Sequence, residues 1–335
     1  MKQTPGAQLA FPGKGETLSQ FVTTQSMQLN VDLRVRELPR EGQNLQARGA
    51  EATPGGGYIG AAAAKAQGAR VFCASPLGTG PNSHAIRRSL EERKIETLDG
   101  VIVGDVGVGV SLVEDDGKIA SVVAAGVEVE TSRELLDSVA LEFGDIVLIH
   151  GRDLALEPSA GVLASWVPDI PDEITVVLAV SPAVDQVPAE IWIPILKRAD
   201  IVSMNIRETA AIREIIASHS PGTGLRNLMR PSAAMVRRLG SLGCDLQISL
   251  EAVPILIRPF PSEIVDTTGV GDTHVAVMCA ALLQGFDLAE ACVRANAASA
   301  LMIQHPGATP FPTKEEVDAV LESGSAKKTQ EARGV

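Results

Sequence analysis

Leu29, Val31, Leu33 and Val35 alternate strictly with Asn30, Asp32, Arg34 and Arg36. A period of two predicts a strand with one apolar and one polar face, so Asn30 and Asp32 share a side. A strand beginning at Phe21 is expected to precede it, and a weaker one is expected across Leu45 to Ala52. Pro54-Gly55-Gly56-Gly57 then leads into an alanine-rich helix, Ile59 to Gln67, which stops at Gly68. Val71 to Ala74 reads as a short strand. Asn82 or Ser83 is expected to cap a charged helix ending near Lys94. Gly107 to Val113 and Ile119 to Ala124 flank Glu114-Asp-Asp-Gly117, a β-hairpin pattern with Asp116-Gly117 at the turn.

Beyond residue 130 the pattern becomes regular. Thr131-x-x-Glu134 predicts a capping box. Apolar runs at Ile146–Ile149, Thr175–Val180, Ile201–Met204 and Leu246–Leu250 read as strands. Helices are predicted between them at 158–167, 188–198, 206–218 and 228–241, and after them at 271–284, 287–303 and 314–322. Apolar strands alternating with helices mean a parallel sheet covered on both faces. The half-polar strands at 29–53 and 107–124 stand apart. They suit a small sheet with one face to solvent or ligand, or edge strands of the main sheet. Residues 1–20 read as a loose arm, and 323–335 as a polar tail.

Composition narrows the function classes. A chain of 335 residues with a formal charge of -12 lacks the basic surface on which nucleic-acid binding rests. Cys73, Cys244, Cys279 and Cys292 are scattered without a Cys-x-x-Cys pair, so buried thiols are expected rather than zinc or disulfides. No apolar run of membrane-spanning length and no signal-like segment occurs, so a cytoplasmic location is expected.

The densest chemistry lies at Asp266-Thr-Thr-Gly-Val-Gly-Asp-Thr, where an apolar helix begins at once. The first amides of a helix have no internal partner, and its dipole is positive at that end. Gly269, Val270 and Gly271 let this backbone approach an anion closely. Asp272 adds a carboxylate beside the anion hole. Phosphoryl transfer to an alcohol needs that combination: donors for the charge, and one carboxylate to orient and deprotonate the nucleophile. Taken alone, a Gly-x-Gly-Asp could equally be a turn followed by an Asp that stabilises its own helix.

The longer stretch resembles the C-terminal signature of the ribokinase-like (PfkB) carbohydrate kinases. The resemblance spans roughly residues 21–320. It implies a three-layer α/β/α fold with a mostly parallel central sheet, a kinase domain over 21–322, and a small β-sheet lid built from 29–53 and 107–124. It implies an enzyme that transfers a phosphoryl group from ATP, with Mg²⁺, to a hydroxyl of a small sugar or sugar acid, and a homodimer formed through the lid. Asp272 then matches the catalytic base. Asn30 and Asp32 match an Asn-x-Asp that binds sugar hydroxyls. Gly55, Gly56 and Gly57 match a glycine signature that brings amides against the sugar. Gly60 stands where the family has a substrate-contacting Asn.

Asn205 and Glu208 resemble the Asn-x-x-Glu motif that organises Mg²⁺ and the phosphates, partly through water. They also read as a helix capping box. Ser249 is taken as the start of the nucleotide loop Thr/Ser-x-Gly-x-x-Gly, with Glu251 and Pro254 replacing both glycines. Asn296 resembles an adenine-pocket residue. Asp266, Thr268 and Gly307 resemble positions that hold a monovalent cation such as K⁺. Arg152, after the strand Ile146–Ile149, could face an anionic substrate or be a solvated partner of Asp153. His150 and His274 read as packing or surface residues. Two rivals remain: a nucleoside kinase of the same fold, which the 3% aromatic content disfavours, and a non-catalytic ligand-binding relative with a decayed nucleotide loop.

Overall fold

The computed structural model describes residues 19–100, 102–115 and 118–326. The chain opens with β1 (Phe21–Thr23), β2 (Met27–Val35) and β3 (Gly49–Gly56), followed by α1 (Gly57–Ala66), β4 (Val71–Cys73), α2 (Pro81–Glu92) and β5 (Glu96–Thr97). Next come β6 (Val108–Glu114), β7 (Ile119–Ala124), α3 (Arg133–Asp137), β8 (Ile146–His150), α4 (Ser159–Trp166), β9 (Thr175–Ala179), α5 (Ala189–Arg198) and β10 (Ile201–Asn205). The last part holds α6 (Ile206–His219), α7 (Leu225–Leu228), β11 (Ala234–Arg238), β12 (Cys244–Gln247), β13 (Ile255–Ile257), α8 (Val270–Leu283), α9 (Leu288–Met302) and α10 (Lys314–Ser323).

Nine strands form the main sheet in the order β13-β12-β11-β10-β9-β8-β1-β4-β5. Neighbours from β11 to β5 run parallel, while β12 is antiparallel to both β11 and β13. Ile146 and Leu148 point into a core shared with α1, α8 and α9. Val147 and Ile149 point into a second core shared with α4, α5 and α6. Both faces of the strand are thus covered, which is why its sequence is continuously apolar. The architecture is the three-layer fold that the resemblance implies. A separate four-stranded sheet, β3-β2-β6-β7, is made of the half-polar strands.

α8 is buried from Thr273 to Leu283. It packs between α1 and α9, whose facing side chains include Ala61, Ala64, Ala291 and Ala295, small enough for close helix approach. The helix is thereby fixed, with its N-terminus at the C-terminal edge of the parallel strands, where ligands of α/β sheets bind.

The predicted helix 228–241 does not exist. Its place is taken by the end of α7, a turn, the interior strand β11 and a single helical turn at Gly240–Leu242. The run Ala233 to Val236 is completely buried and apolar, and such a run has no period that separates strand from helix. The predicted strand Leu246–Leu250 is shifted to Cys244–Gln247 and runs antiparallel.

Several ends also move. Neither Asn82 nor Ser83 caps α2. The Asp105 carboxylate, from a distant loop, accepts both of their amides at 2.9 and 2.7 Å. Ser132, not Thr131, caps α3. Gln20 is buried and bonded to Asp145, so it is not part of a loose arm. Ala326 is buried against Pro261 and Gln304, so the tail is docked at least to there. The hairpin turn at Asp116-Gly117, the arm 1–18 and the tail 327–335 lie outside the described residues.

Candidate active site

Gly269 caps α8 in the left-handed region at φ 70°, with no side-chain cap. A Cβ there would lie 3.0 Å from both Ile59 and Met302, so only glycine fits. The Val270 amide bonds to Thr267, and that of Thr273 to Gly269. Those of Gly271 and Asp272 have no hydrogen-bond acceptor among the described residues. They border a cavity of about 510 Å³ lined by Gly269, Val270, Gly271, Asp272, His150, Asn205, Glu208 and Arg238, among others. The structure therefore puts an open helix N-terminus and an acid on one concave surface, as the sequence suggested.

Asp272 is oriented by two side chains. Gln25, in the turn after β1, donates from Nε2 to Asp272 Oδ1 at 3.1 Å. His150 Nε2, at the end of β8, lies 3.5 Å from the same oxygen. The Arg152 amide points at His150 Nδ1 at 3.3 Å, which assigns the ring proton to Nε2 and makes it the donor. Oδ2 is left for another partner. His150 is thus neither a surface residue nor mere packing. The sequence signal for it was its place one residue past an apolar parallel strand.

On the far wall, Asn205 and Glu208 form a reciprocal capping box at the start of α6. Glu208 is 1% exposed. Its oxygens accept from the Asn205 amide and side chain at 2.8 Å and from Arg238 Nη2 at 3.0 Å. Arg238 is the last residue of β11, and the turn that follows contains Gly240 at φ 61° and Gly243 at φ 89°. Both glycines line the cavity.

The position of β11 brings a stretch other than Ser249 to the cavity as the candidate nucleotide loop. Arg238-Leu-Gly240-Ser-Leu-Gly243 has the Thr/Ser-x-Gly-x-x-Gly spacing, with both glycines present and Arg in the first position. Ser249 lies beyond β12, whose residue Gln247 pairs with Met235 near the start of β11. The Leu250 amide bonds to Pro231 there, at 2.8 Å. Ser249, Glu251 and Pro254 are therefore at the opposite edge of the sheet, about 13 Å away by strand rise. The physical reason is the unrecognised strand: treating β11 as helix moved the motif one strand too late.

Asn296 lines the cavity but is 6% exposed, and its amide is fully used. Nδ2 donates to Ile257 and Arg258 carbonyls at 3.1 Å, and Oδ1 faces His274 Nε2 at 3.2 Å. It supplies wall rather than a free hydrogen bond.

A second polar group lies under the small sheet. Arg152 Nη2 donates to Gln28 Oε1, and Gln28 Nε2 donates to Asn30 Oδ1 at 2.9 Å. Gly55 and Gly109 flank Asn30 so closely that a Cβ on either would fall within 3.0 Å of its amide. Gly56 and Gly57 press against the carbonyls of Ser26 and Gln25. A Cβ on Gly60 would sit 4.0 Å from Gln25 Oε1, so the glutamine occupies the neighbourhood of the side chain missing at residue 60.

Arg152 does not pair with Asp153. The buried Asp153 instead accepts from Ser26 N and Oγ. Burial pushes its carboxyl up, against the opposing pull of His150, Ser26 and Arg152. Asp32 shares the polar face of β2 with Asn30, opposite Glu51 and Ser111, but does not line the cavity.

Asp266 joins two loops. Its Oδ1 accepts from Thr268 N and Oγ1 at 2.9 and 2.8 Å, and Oδ2 accepts from Gly307 N at 2.8 Å. Burial alone would raise its pKa, but the bonds from Gly307 and Thr268 outweigh that and hold it below the ordinary range. Asp266, Thr268 and Gly307 thus meet beside the residues leading into α8.

Comparison with known proteins agrees with this geometry. The chain is 28% identical over 283 residues to an uncharacterized sugar kinase, YegV, of Escherichia coli K12, covering 84% of this chain and 87% of that protein. It is 26% identical to the ribokinase of Bacillus subtilis, covering 84% and 92% of the two chains. The structure of Arabidopsis thaliana ribokinase complexed with ribose and ATP superposes with a TM-score of 0.75 at 21% identity, covering 91% of this chain and 99% of that one. A nucleoside kinase of Methanocaldococcus jannaschii, described as an archaeal member of the ribokinase family, superposes with a TM-score of 0.74 at 17% identity, covering 93% and 100%. Residues 22–315 match the family described as pfkB family carbohydrate kinase, and the chain belongs to that family.

Proposed function

We propose that the protein transfers the γ-phosphoryl group of ATP to a hydroxyl of a small sugar or sugar acid. The observation that carries this reading is the convergence on one cavity wall of the unpartnered Gly271 and Asp272 amides with the Asp272 carboxylate. Asp272, held through Oδ1, takes the hydroxyl proton on Oδ2. The amides of Gly271 and Asp272 meet the negative charge that grows on the transferred group, and being fixed by the helix they need no reorganisation. Gly240 and Gly243 give the nucleotide phosphates a close backbone approach.

Mg²⁺ keeps several waters and prefers phosphate oxygens. Glu208, with both oxygens already bonded, fits an ion reached through water rather than direct ligation. Bound with the nucleotide, Mg²⁺ would offset phosphate charge. The Asp266, Thr268 and Gly307 loops are our candidate for a monovalent-cation site.

The acceptor is assigned to the space between Asp272 and the polar face of the small sheet. Asn30, Asp32 and the β3–α1 junction at Gly55–Gly57 would engage its hydroxyls. Among the described residues the half-buried guanidinium of Arg152 hydrogen-bonds only to the uncharged Gln28 amide, which favours an acceptor carrying a carboxylate. A nucleoside acceptor has less support. Tyr58, next to Gly57, is buried, packed on Phe311 and bonded to Arg93, and so is engaged elsewhere. The binding-only reading rested on Glu251 and Pro254, which lie at the other edge of the sheet.

The small sheet's second face carries Leu29, Val31, Leu33, Val110 and Val122, the last 68% exposed. We assign this face to a second copy of the chain, which sedimentation velocity tests. ATP turnover against a panel of neutral sugars, sugar acids and nucleosides tests the activity. Turnover with a sugar or sugar acid is expected, and a preference for nucleosides would overturn the acceptor assignment.

A further inference from the structure

We propose that Arg238 is a catalytic residue whose guanidinium stabilises charge on the phosphoryl group in flight. The inference rests on the phosphotransferase reading above. It concerns a side chain that departs from the family pattern, in which the residue opening the glycine loop is Thr or Ser.

Three observations place it there. Arg238 lines the cavity together with Gly269 to Asp272. A Cβ built on Gly271 would lie 2.5 Å from Arg238 Nη1, so the guanidinium lies directly against the open first turn of α8. Its bonding is also incomplete. Nη2 donates to Glu208 at 3.0 Å, Nε is buried without a partner, and Nη1 makes no hydrogen bond among the described residues.

The electrostatics point the same way. A helix N-terminus carries roughly half a positive charge, and a cation placed against it is repelled. Glu208 offsets one charge, yet its oxygens also accept from Asn205. An anion between the Gly271 amide and Nη1 would remove the repulsion and fill both open donors. The transferring group is such an anion. During transfer, the acceptor oxygen forms its bond to phosphorus. The bond from phosphorus to the oxygen of the leaving diphosphate breaks, that oxygen keeps the electron pair, and the hydroxyl proton goes to Asp272. Charge on the peripheral and leaving oxygens is what a guanidinium meets with two donors at once, which a hydroxyl cannot do.

The competing account is structural: Arg238 serves only to neutralise buried Glu208. Calorimetric titration of ATP and of ADP into the full-length protein decides without needing to know the acceptor. Arg238→Ala is expected to lose about tenfold of the preference for ATP over ADP, the size of one charge-assisted contact. With whichever acceptor the wild type uses, turnover should fall by about 10²-fold or more, and millimolar guanidinium should restore part of it. An unchanged ATP-to-ADP ratio, or turnover within about threefold of wild type in a variant of unchanged melting temperature, would overturn the assignment. Should Arg238→Ala not fold, Arg238→Lys keeps a charge for Glu208. Turnover at least about tenfold below wild type then supports a catalytic guanidinium, and wild-type turnover overturns it. Failure of the wild type to bind either nucleotide would sink the phosphotransferase reading itself, and this inference with it.

Discussion

Gln25 Nε2 lies 3.1 Å from Asp272 Oδ1, across the joint between the first strand's turn and the central buried helix. That one oxygen also lies 3.5 Å from His150 Nε2, so Gln25 holds the carboxylate by a hydrogen bond and His150 flanks the same oxygen. A base held this way is already aimed before the acceptor arrives.

Removing one holder should therefore cost rate rather than binding. Gln25→Leu is expected to lower kcat about ten- to hundredfold, the value of a hydrogen bond to a charged group, with a small change in acceptor KM. Steady-state kinetics check this. A rise in KM at constant kcat would make Gln25 a substrate contact instead.

Gln25 and His150 show where reading the sequence stops. Their strands were legible, because period-two and fully apolar runs leave plain marks. Their function was not, because it depends on a turn and a strand end 125 residues apart meeting at one helix end. The signature around Asp272 was legible because its glycines answer a local demand, the left-handed cap at Gly269. Arg238 was hidden for the opposite reason. A short buried run such as Ala233 to Val236 has no period, and mistaking it for helix displaced the glycine loop by one strand.

The displaced loop gives a direct check. Ser249→Ala and Glu251→Ala sit at the far sheet edge and should leave nucleotide affinity within about twofold of wild type, as surface changes away from a site do. Gly240→Val and Gly243→Val should weaken it strongly, because both glycines have positive φ. Calorimetric titration of ATP distinguishes these. Tight binding that depends on Ser249 would contradict the candidate loop.

Gly271 and Gly269 should fail differently. In Gly271→Ala the new methyl displaces Arg238 Nη1 rather than any backbone, so the fold should hold while turnover drops by at least about tenfold. In Gly269→Ala the strain lies in the backbone at φ 70° and in contacts at 3.0 Å, and about 1–3 kcal/mol of stability should be lost. Thermal melts alongside kinetics separate the two. Equal loss of melting temperature in both would argue against this division.

Asp266 links the site to pH. Its folded pKa lies below its unfolded one, so it binds protons less readily when folded and stabilises the protein above the unfolded carboxyl pKa of about 3.9. That contribution is fully present near neutrality and is lost as pH falls through the folded pKa. Asp266→Asn should thus be less stable than wild type at pH 7, with the gap closing below about pH 4. Urea melts at both pH values read this out, and a gap that widens in acid would show that the carboxylate is not the stabilising form.

Phosphoryl transfer monitored for wild type and Asp272→Asn in parallel, over neutral sugars, sugar acids and nucleosides, tests the account most directly. The wild type should phosphorylate a sugar or sugar acid. The variant should bind the same acceptor and ATP with near-normal affinity yet turn over at least about 10²-fold more slowly. Equal turnover by the two proteins would remove Asp272 from the reaction and contradict the mechanism.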